Sequence, residues 1–273
     1  MIDFMFITND TELASYAESS GVQRIFVDLE SMGKLERQGH LDTHISSHTL
    51  ADVARIKSAL TSARLLVRLN PLHAGSRNEV EHAIEDGADL LMLPMFRDAQ
   101  TVRTFCELVD GRVPVIPLVE TGDAARAVRQ IAEIDGVSEV YFGLNDLHLD
   151  MGLTFMFELV ANGYVENMAD EVKSVGKPFG FGGIARVGEG VVPGEAVLGE
   201  HLRLGSSSVI LSRTFHRKSQ GVDDLKQKFD LVEELERLRT CERELSVRTV
   251  DQQVADKQAF QASVADFVSR RRS

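Results

Sequence analysis

Eight short apolar runs, each followed by a segment of helical character, recur from the N-terminus to about residue 215. This repetition limits the fold more than any other feature. An unbroken apolar run too short for a lone helix reads as a strand buried on both faces, as in a parallel sheet. The runs are Ile2–Ile7, Arg24–Leu29, Arg64–Leu69, Leu90–Leu93, Val113–Val119, Val137–Phe142, Pro178–Ile184 and Ser207–Leu211. Between them stand Asp10–Ser19, with Asn9 or Asp10 as its cap, then Leu50–Leu60, Arg77–Glu85 and Ala99–Val109. Ala124, Ala127, Val128, Ile131, Ala132 and Ile134 mark another helical face, a longer helical segment spans Phe155–Val175, and Glu195–Leu204 closes the series. Eight such units predict an α/β fold, a (β/α)8 barrel with extra C-terminal helices. A doubly wound open sheet gives the same alternation and is the alternative.

The barrel is expected over residues 1–220, with a C-terminal helical segment over 221–273. Leu225, Phe229, Val232, Leu235 and Leu238 recur at three and four residues, which predicts one apolar stripe on a helix; Val247–Val268 carries a weaker second stripe. One helix completes a barrel, so one segment is spare. It either packs outside its own barrel or reaches a neighbouring subunit. We expect the subunit contact, in a homo-oligomer that is a trimer or hexamer.

Composition narrows the function. At 273 residues and 43% hydrophobic, the chain can bury a full core. A net charge of -12 argues against nucleic acid and anionic membrane surfaces as partners. The terminal Arg270-Arg271-Arg272 reads as a frayed tail. Two cysteines give no disulfide framework, and Cys106, inside a helical segment, reads as a core thiol in a reducing compartment. Residues 1–25 lack a basic stretch followed by an apolar one, and no apolar run is long enough to span a membrane. A cytoplasmic location is expected.

In a barrel of this kind the C-terminal ends of the strands face one site. The polar residues there are Asp28 and Glu30 after the second strand, Arg68 and Asn70 after the third, and Glu120 after the fifth; Asn145 and Asp146 follow the sixth, and Gly182-Gly183 lie in the seventh. Glu120 and Asp146 come from neighbouring strands, about 4.8 Å apart in a sheet, so their carboxylates can converge on one hard cation. Oxygen ligands without His or Cys favour Mg2+ or Mn2+ over zinc. The competing reading makes Glu120 a helix cap and Asp146 a turn cap. Arg68 presents a planar fork to a carboxylate or oxyanion; its bland role is an ion pair with Glu120 or Glu30. A carbonyl held between cation and Arg68 would be polarised enough to accept the electron pair of a breaking C–C bond or a departing α-proton.

These residues resemble the HpcH/HpaI aldolase and citrate lyase β-subunit family, metal-dependent barrels of the phosphoenolpyruvate/pyruvate superfamily. The similar pieces are Val27-Asp28-Leu29-Glu30, Val67-Arg68-Leu69-Asn70-Pro71, Gly87-Ala88-Asp89, Leu93-Pro94-Met95, Val119-Glu120-Thr121 and Phe142-Gly143-Leu144-Asn145-Asp146-Leu147, followed by Met151-Gly152. The resemblance implies that Glu120 and Asp146 ligate Mg2+ or Mn2+ and that Arg68 contacts a 2-oxo acid. It also implies that backbone N–H groups near Asn145 and Asp146 receive the substrate carboxylate. The implied activity is a metal-dependent aldolase-type C–C lyase joining or splitting a pyruvate-like 2-oxo acid and an aldehyde. A citryl- or malyl-CoA-type lyase and a non-catalytic ligand-binding barrel are the alternatives.

The sequence departs from the family pattern at the proton-handling position. Aldolases of this family use a His just after the second strand, where this chain has Glu30-Ser31-Met32-Gly33-Lys34; Asp28-Leu29-Glu30 looks closer to the citrate lyase branch. Glu30 and His148 are the residues we expect to handle protons, with His44 and His48 as further candidates and an exposed loop His as the bland reading for each. Gly182-Gly183 either admit a substrate close to the backbone or turn a tight loop.

Overall fold

The computed structural model describes residues 1–33, 48–216 and 219–272. In chain order the elements are β1 (Asp3–Ile7), α1 (Thr11–Ser19), β2 (Arg24–Asp28), α2 (Ala51–Ala59), β3 (Arg64–Arg68), α3 (Ser76–Glu85), β4 (Leu90–Leu93) and α4 (Ala99–Val109). Then come β5 (Val115–Val119), α5 (Gly122–Arg126), α6 (Val128–Ala132), β6 (Val140–Phe142), α7 (Leu144–Asp150), α8 (Glu158–Ala161) and α9 (Tyr164–Ser174). The rest is β7 (Phe179–Ile184), α10 (Gly194–Leu204), β8 (Ser208–Leu211), a 3-10 turn (Arg213–Phe215), α11 (Val222–Lys228), α12 (Leu231–Ser246) and α13 (Val250–Arg272). The strands pair in sequence order, all parallel, and β8 closes on β1. The barrel, not the open sheet, is the fold.

Closure follows from how the apolar residues divide. Successive strand side chains point to opposite faces. Met5, Phe26, Leu66, Leu90, Met92, Ile116, Leu118 and Tyr141 fill the interior. Their neighbours Phe4, Phe6, Ile25, Val27, Leu65, Val67, Leu91, Leu93, Val115, Val119, Val140 and Phe142 pack outward against the helices. At the N-terminal end of the barrel the fully apolar filling gives way to a buried ion pair. Arg24 bonds Glu139 at 2.7 Å and Asp3 at 2.9 Å, and Ser208 donates to Glu139.

Three local expectations are corrected. The helical segment expected over Phe155–Val175 is two helices, α8 and α9, separated at Asn162-Gly163, both poor helix formers. The stripe from Leu225 to Leu238 is also two helices. Phe229 is extended, and Asp230 caps α12 by accepting from the Val232 and Glu233 N–H groups, which leaves Val232 49% exposed. Asp230 with Glu233 three residues later is a helix-start signature that the apolar spacing masked. Arg270-Arg271-Arg272 is not a frayed tail: it continues α13, with Arg270 paired to Asp266 and the Arg271 guanidinium 5.1 Å from the Phe267 ring centre.

The C-terminal segment covers its own barrel. From α12, Arg239 donates to the Ile2 carbonyl at 2.7 Å and stacks on Phe4, while Glu242 accepts from the Ile2 N–H. From α13, Phe260 and Val264 are buried, and Phe260 meets Phe157 edge-on. Cys106 is buried and its thiol is pushed up to about 11 by that burial, as expected of a core thiol. No helix among the described residues is long and apolar enough to cross a membrane.

Candidate active site

Several interior columns of the barrel end in a polar residue at the C-terminal rim. Phe26 is followed on the same face by Asp28, Leu66 by Arg68, and Ile116 and Leu118 by Glu120; Asp28 and Arg68 are register partners across β2 and β3. The two-residue alternation that fills the barrel therefore also carries these side chains to its mouth. Arg68 grips Asp28 with two parallel bonds, Nε to Oδ1 at 2.8 Å and Nη2 to Oδ2 at 2.9 Å. Its Nη1 faces Glu30 at 3.4 Å and Glu120 at 3.9 Å. Burial works against the Arg68 charge, but the Asp28, Glu30 and Glu120 carboxylates more than offset it and raise its pKa.

Glu120 follows β5 and is buried. Its Oε2 accepts from the Met95 N–H at 3.3 Å, in a loop where Met95 adopts the left-handed region at a φ of 53°. Glu120 is held well above the ordinary carboxylate value. Burial is the largest cause; Glu30 and Asp146 add repulsion that Arg68 only partly relieves. Asp146 is not on a strand or a turn cap. It lies buried in the first turn of α7, which begins directly after β6.

Gly143 is the register neighbour of Glu120, since Val119 pairs with Phe142. A Cβ at Gly143 would stand 2.5 Å from the Glu120 Cγ. Gly143→Ala is therefore expected to displace Glu120 and cost about 1–3 kcal/mol of stability, the range for overpacking. Chemical denaturation of a double-mutant cycle checks this. In an E120A background, which removes that Cγ, adding Gly143→Ala should cost little; an undiminished cost would refute the contact.

The site residues expected from sequence are brought together unequally. Arg68, Glu30, Glu120 and Asp146 converge. Asn145 lies beside them in the first turn of α7, half-buried. His148 does not join the cluster through any described contact. Residues two apart on a helix do not share a face, so His148 points away from the side carrying Asp146. Its buried ring places Nδ1 3.1 Å from the Leu144 carbonyl, which obliges Nδ1 to donate. His48 is closer, because its Nδ1 accepts from the Asp28 N–H at 3.0 Å. His40 and His44 lie outside the described residues. Gly182 takes a φ of 52° at the irregular register between β7 and β8, its missing Cβ would meet Leu144 at 2.9 Å, and its carbonyl accepts from the Tyr141 hydroxyl. Gly182 thus sits in a strand irregularity rather than in a loop turn, with Leu144 packed where a side chain would stand. Gly183 has no neighbour closer than 3.5 Å to a Cβ.

Asp28 is the contributor that strand-end reading passed over as one acid among several. The signal was its position, two residues beyond the interior Phe26. Asn70 also has a definite place: its Oδ1 accepts from the Ser31 and Met32 N–H groups at 2.9 and 3.0 Å, and its Nδ2 donates to Glu79. Asn70 thus fixes the chain just beyond Glu30.

The donor set fits a hard cation. Glu120 and Asp146 offer oxygen, and the repulsion around Glu120 is what a bound positive ion would relieve. Among the described residues no group of three His, Cys, Asp or Glu is arranged to hold a metal by itself. Two carboxylates suffice for magnesium, which normally keeps water and substrate oxygens in its remaining positions.

A closed parallel barrel with buried, mutually repelling carboxylates and an arginine at its C-terminal mouth is the arrangement of a barrel enzyme. The sequence matches the family model for HpcH/HpaI aldolase/citrate lyase over residues 4–160, more than half of the chain, and the protein belongs to that family. Among solved structures it is similar to the HpcH/HpaI aldolase of Desulfitobacterium hafniense, with 18% identity, a TM-score of 0.60, and 83% of this chain and 89% of that one covered. It is similar to an HpcH/HpaI aldolase/citrate lyase family protein of Burkholderia cenocepacia, with 16% identity, a TM-score of 0.62, and coverage of 80% and 91%. A third is the citrate lyase β subunit of M. tuberculosis complexed with oxaloacetate and magnesium, with 16% identity, a TM-score of 0.61, and coverage of 89% and 97%. At these identities the likeness is one of fold. No curated protein matches the chain.

Proposed function

We propose that the protein is a divalent-metal-dependent carbon–carbon lyase of aldolase type, acting on a small pyruvate-like 2-oxo acid and an aldehyde. Glu120 and Asp146 would hold Mg2+ or Mn2+. The observation that carries this reading is the buried Glu120 carboxylate, pressed by Glu30 and Asp146 and faced by Arg68. The magnesium and oxaloacetate in the M. tuberculosis relative support the same choice of ion and oxo acid. When bound, the ion would act as a Lewis acid on the substrate carbonyl.

The chain's own groups then have separate tasks. Arg68 is aimed by Asp28, which holds the Nε and Nη2 edge and leaves Nη1 toward the Glu30–Glu120 side. As the C–C bond breaks, its electron pair moves to the carbonyl of the oxo acid, and Nη1 donates to that oxygen as it gains charge. One such donor is worth about 2.7–4 kcal/mol in the transition state. N–H groups near Asn145 and Asp146 would receive the substrate carboxylate, with Gly182-Gly183 beside it. Glu30 is our candidate for moving the proton, because it lies beside Arg68; His148 ranks behind it.

Enolate formation has a direct test. With Mg2+ present, the methyl protons of pyruvate should exchange with deuterium, read by proton NMR, and EDTA should stop the exchange. Absence of exchange with either metal between about pH 6 and 9, across the range where a carboxylate or histidine base changes charge, would remove the pyruvate reading.

A further inference from the structure

Asp150 is the last residue of α7, where an acid sits against the negative end of the helix dipole. A locally unfavourable choice of this kind calls for a tertiary reason. The contacts supply one. Asp150 Oδ2 accepts from the Gly122 N–H at 2.8 Å, and Oδ1 accepts from Arg97 Nη2 at 3.2 Å. Arg97 also binds Asp123 at 3.0 Å. Gly122 is two residues past Glu120, and Arg97 is two residues past Met95, whose N–H bonds Glu120. Asp150 is four residues past Asp146, one helical turn away on the same face.

We propose that Asp150 is a positioning residue for the ion site: it clamps the face of α7 that carries Asp146 to the backbone that carries Glu120, and so sets the separation of the two carboxylates. Thr121 reinforces the same loop, since its hydroxyl donates to the Phe96 carbonyl at 3.0 Å and accepts from the Ala124 N–H. The clamp touches neither ligand. It adds a restraint beyond the short β5–β6 pairing, which ends at Val119 and Phe142, and the Gly143 N–H bond to the Val119 carbonyl at 2.9 Å. The inference rests on the reading of Glu120 and Asp146 as the ion's ligands.

The test measures Mn2+ affinity of the full chain by electron paramagnetic resonance, with thermal melts in EDTA alongside. Asp150→Ala should weaken Mn2+ binding about tenfold, the low end of the range for residues that hold ligands in place. The melting temperature in EDTA should fall by only a few degrees, since the Arg97 pair is exposed and the part-buried Gly122 N–H loses one acceptor. Asp150→Asn keeps an oxygen for the Gly122 N–H and should bind within about threefold of the parent. Parent-like affinity in Asp150→Ala would overturn the clamp, as would equal weakening in both variants, which would point to charge rather than to the Gly122 bond. Glu120→Gln separates the two ideas. If it binds Mn2+ like the parent, the ligand assignment has failed and the clamp falls with it; if it loses binding while Asp150→Ala does not, only the clamp has failed.

Discussion

Glu120→Gln is expected to abolish magnesium binding and, in the same protein, to raise its stability in EDTA at neutral pH. Both effects come from one environment. The Glu120 pKa is raised, chiefly by burial and then by Glu30 and Asp146. A carboxyl whose folded pKa lies above its unfolded value stabilises the fold fully below the unfolded pKa, near 4.3, and loses that contribution as the pH rises through the folded value. In EDTA, therefore, the parent should become less stable from about pH 4 upward. The Gln variant, which cannot ionise, should show a flatter profile. Magnesium should reverse the order, because an ion that binds only the folded state adds stability in proportion to the logarithm of its excess over Kd. Calorimetric titration should show at least about a hundredfold weaker binding in the variant, the upper end for changes one shell further out. Melting curves with and without Mg2+ at several pH values give the rest. Intact Mg2+ binding in Glu120→Gln would sink the ligand assignment.

Arg68→Met should be the most damaging single change at the mouth. The arginine is bonded to Asp28 and lies beside Glu30 and Glu120, three carboxylates that are themselves buried. Removing one partner of a buried charge cluster costs about 3–5 kcal/mol, because the remaining charges stay behind. For a chain of this size that corresponds to a fall of roughly 10 °C in melting temperature. The loss should shrink toward acid pH, where the abandoned carboxylates take up protons. Activity should drop by about a hundredfold or more from the lost donor alone. Arg68→Lys distinguishes charge from geometry. It restores charge, but a lysine cannot reproduce the two-bond grip on Asp28, so stability should recover further than turnover. Full recovery of turnover by lysine would contradict the idea that Asp28 aims the guanidinium.

Much of the fold was legible because it depends on local pattern. Unbroken apolar runs such as Val115–Val119 need cover on both faces, and only alternation with helices supplies it. Asp10 and the helix after it were readable from cap chemistry. Where local signals competed, the reading failed. The spacing of Leu225, Phe229 and Val232 suggested one helix, yet Asp230 caps a new one. The reading of Asp146 as a turn cap, kept as the alternative to a ligand role, is excluded because Asp146 lies inside the first turn of α7.

By itself, the sequence determined the strand–helix alternation and the set of charged residues at the strand ends, which follow from residue types and their period, while its motifs carried the family. Closure into a barrel rather than an open sheet was decided by the strand pairing. Only the tertiary structure decided how those charges pair. Asp28 takes the fork of Arg68, and Gly143 makes room for Glu120. Such relations depend on register and closure between segments far apart in the chain, where a shift of one residue sends a side chain to the other face. The eight runs fix which residues reach the mouth; barrel closure fixes which of them meet.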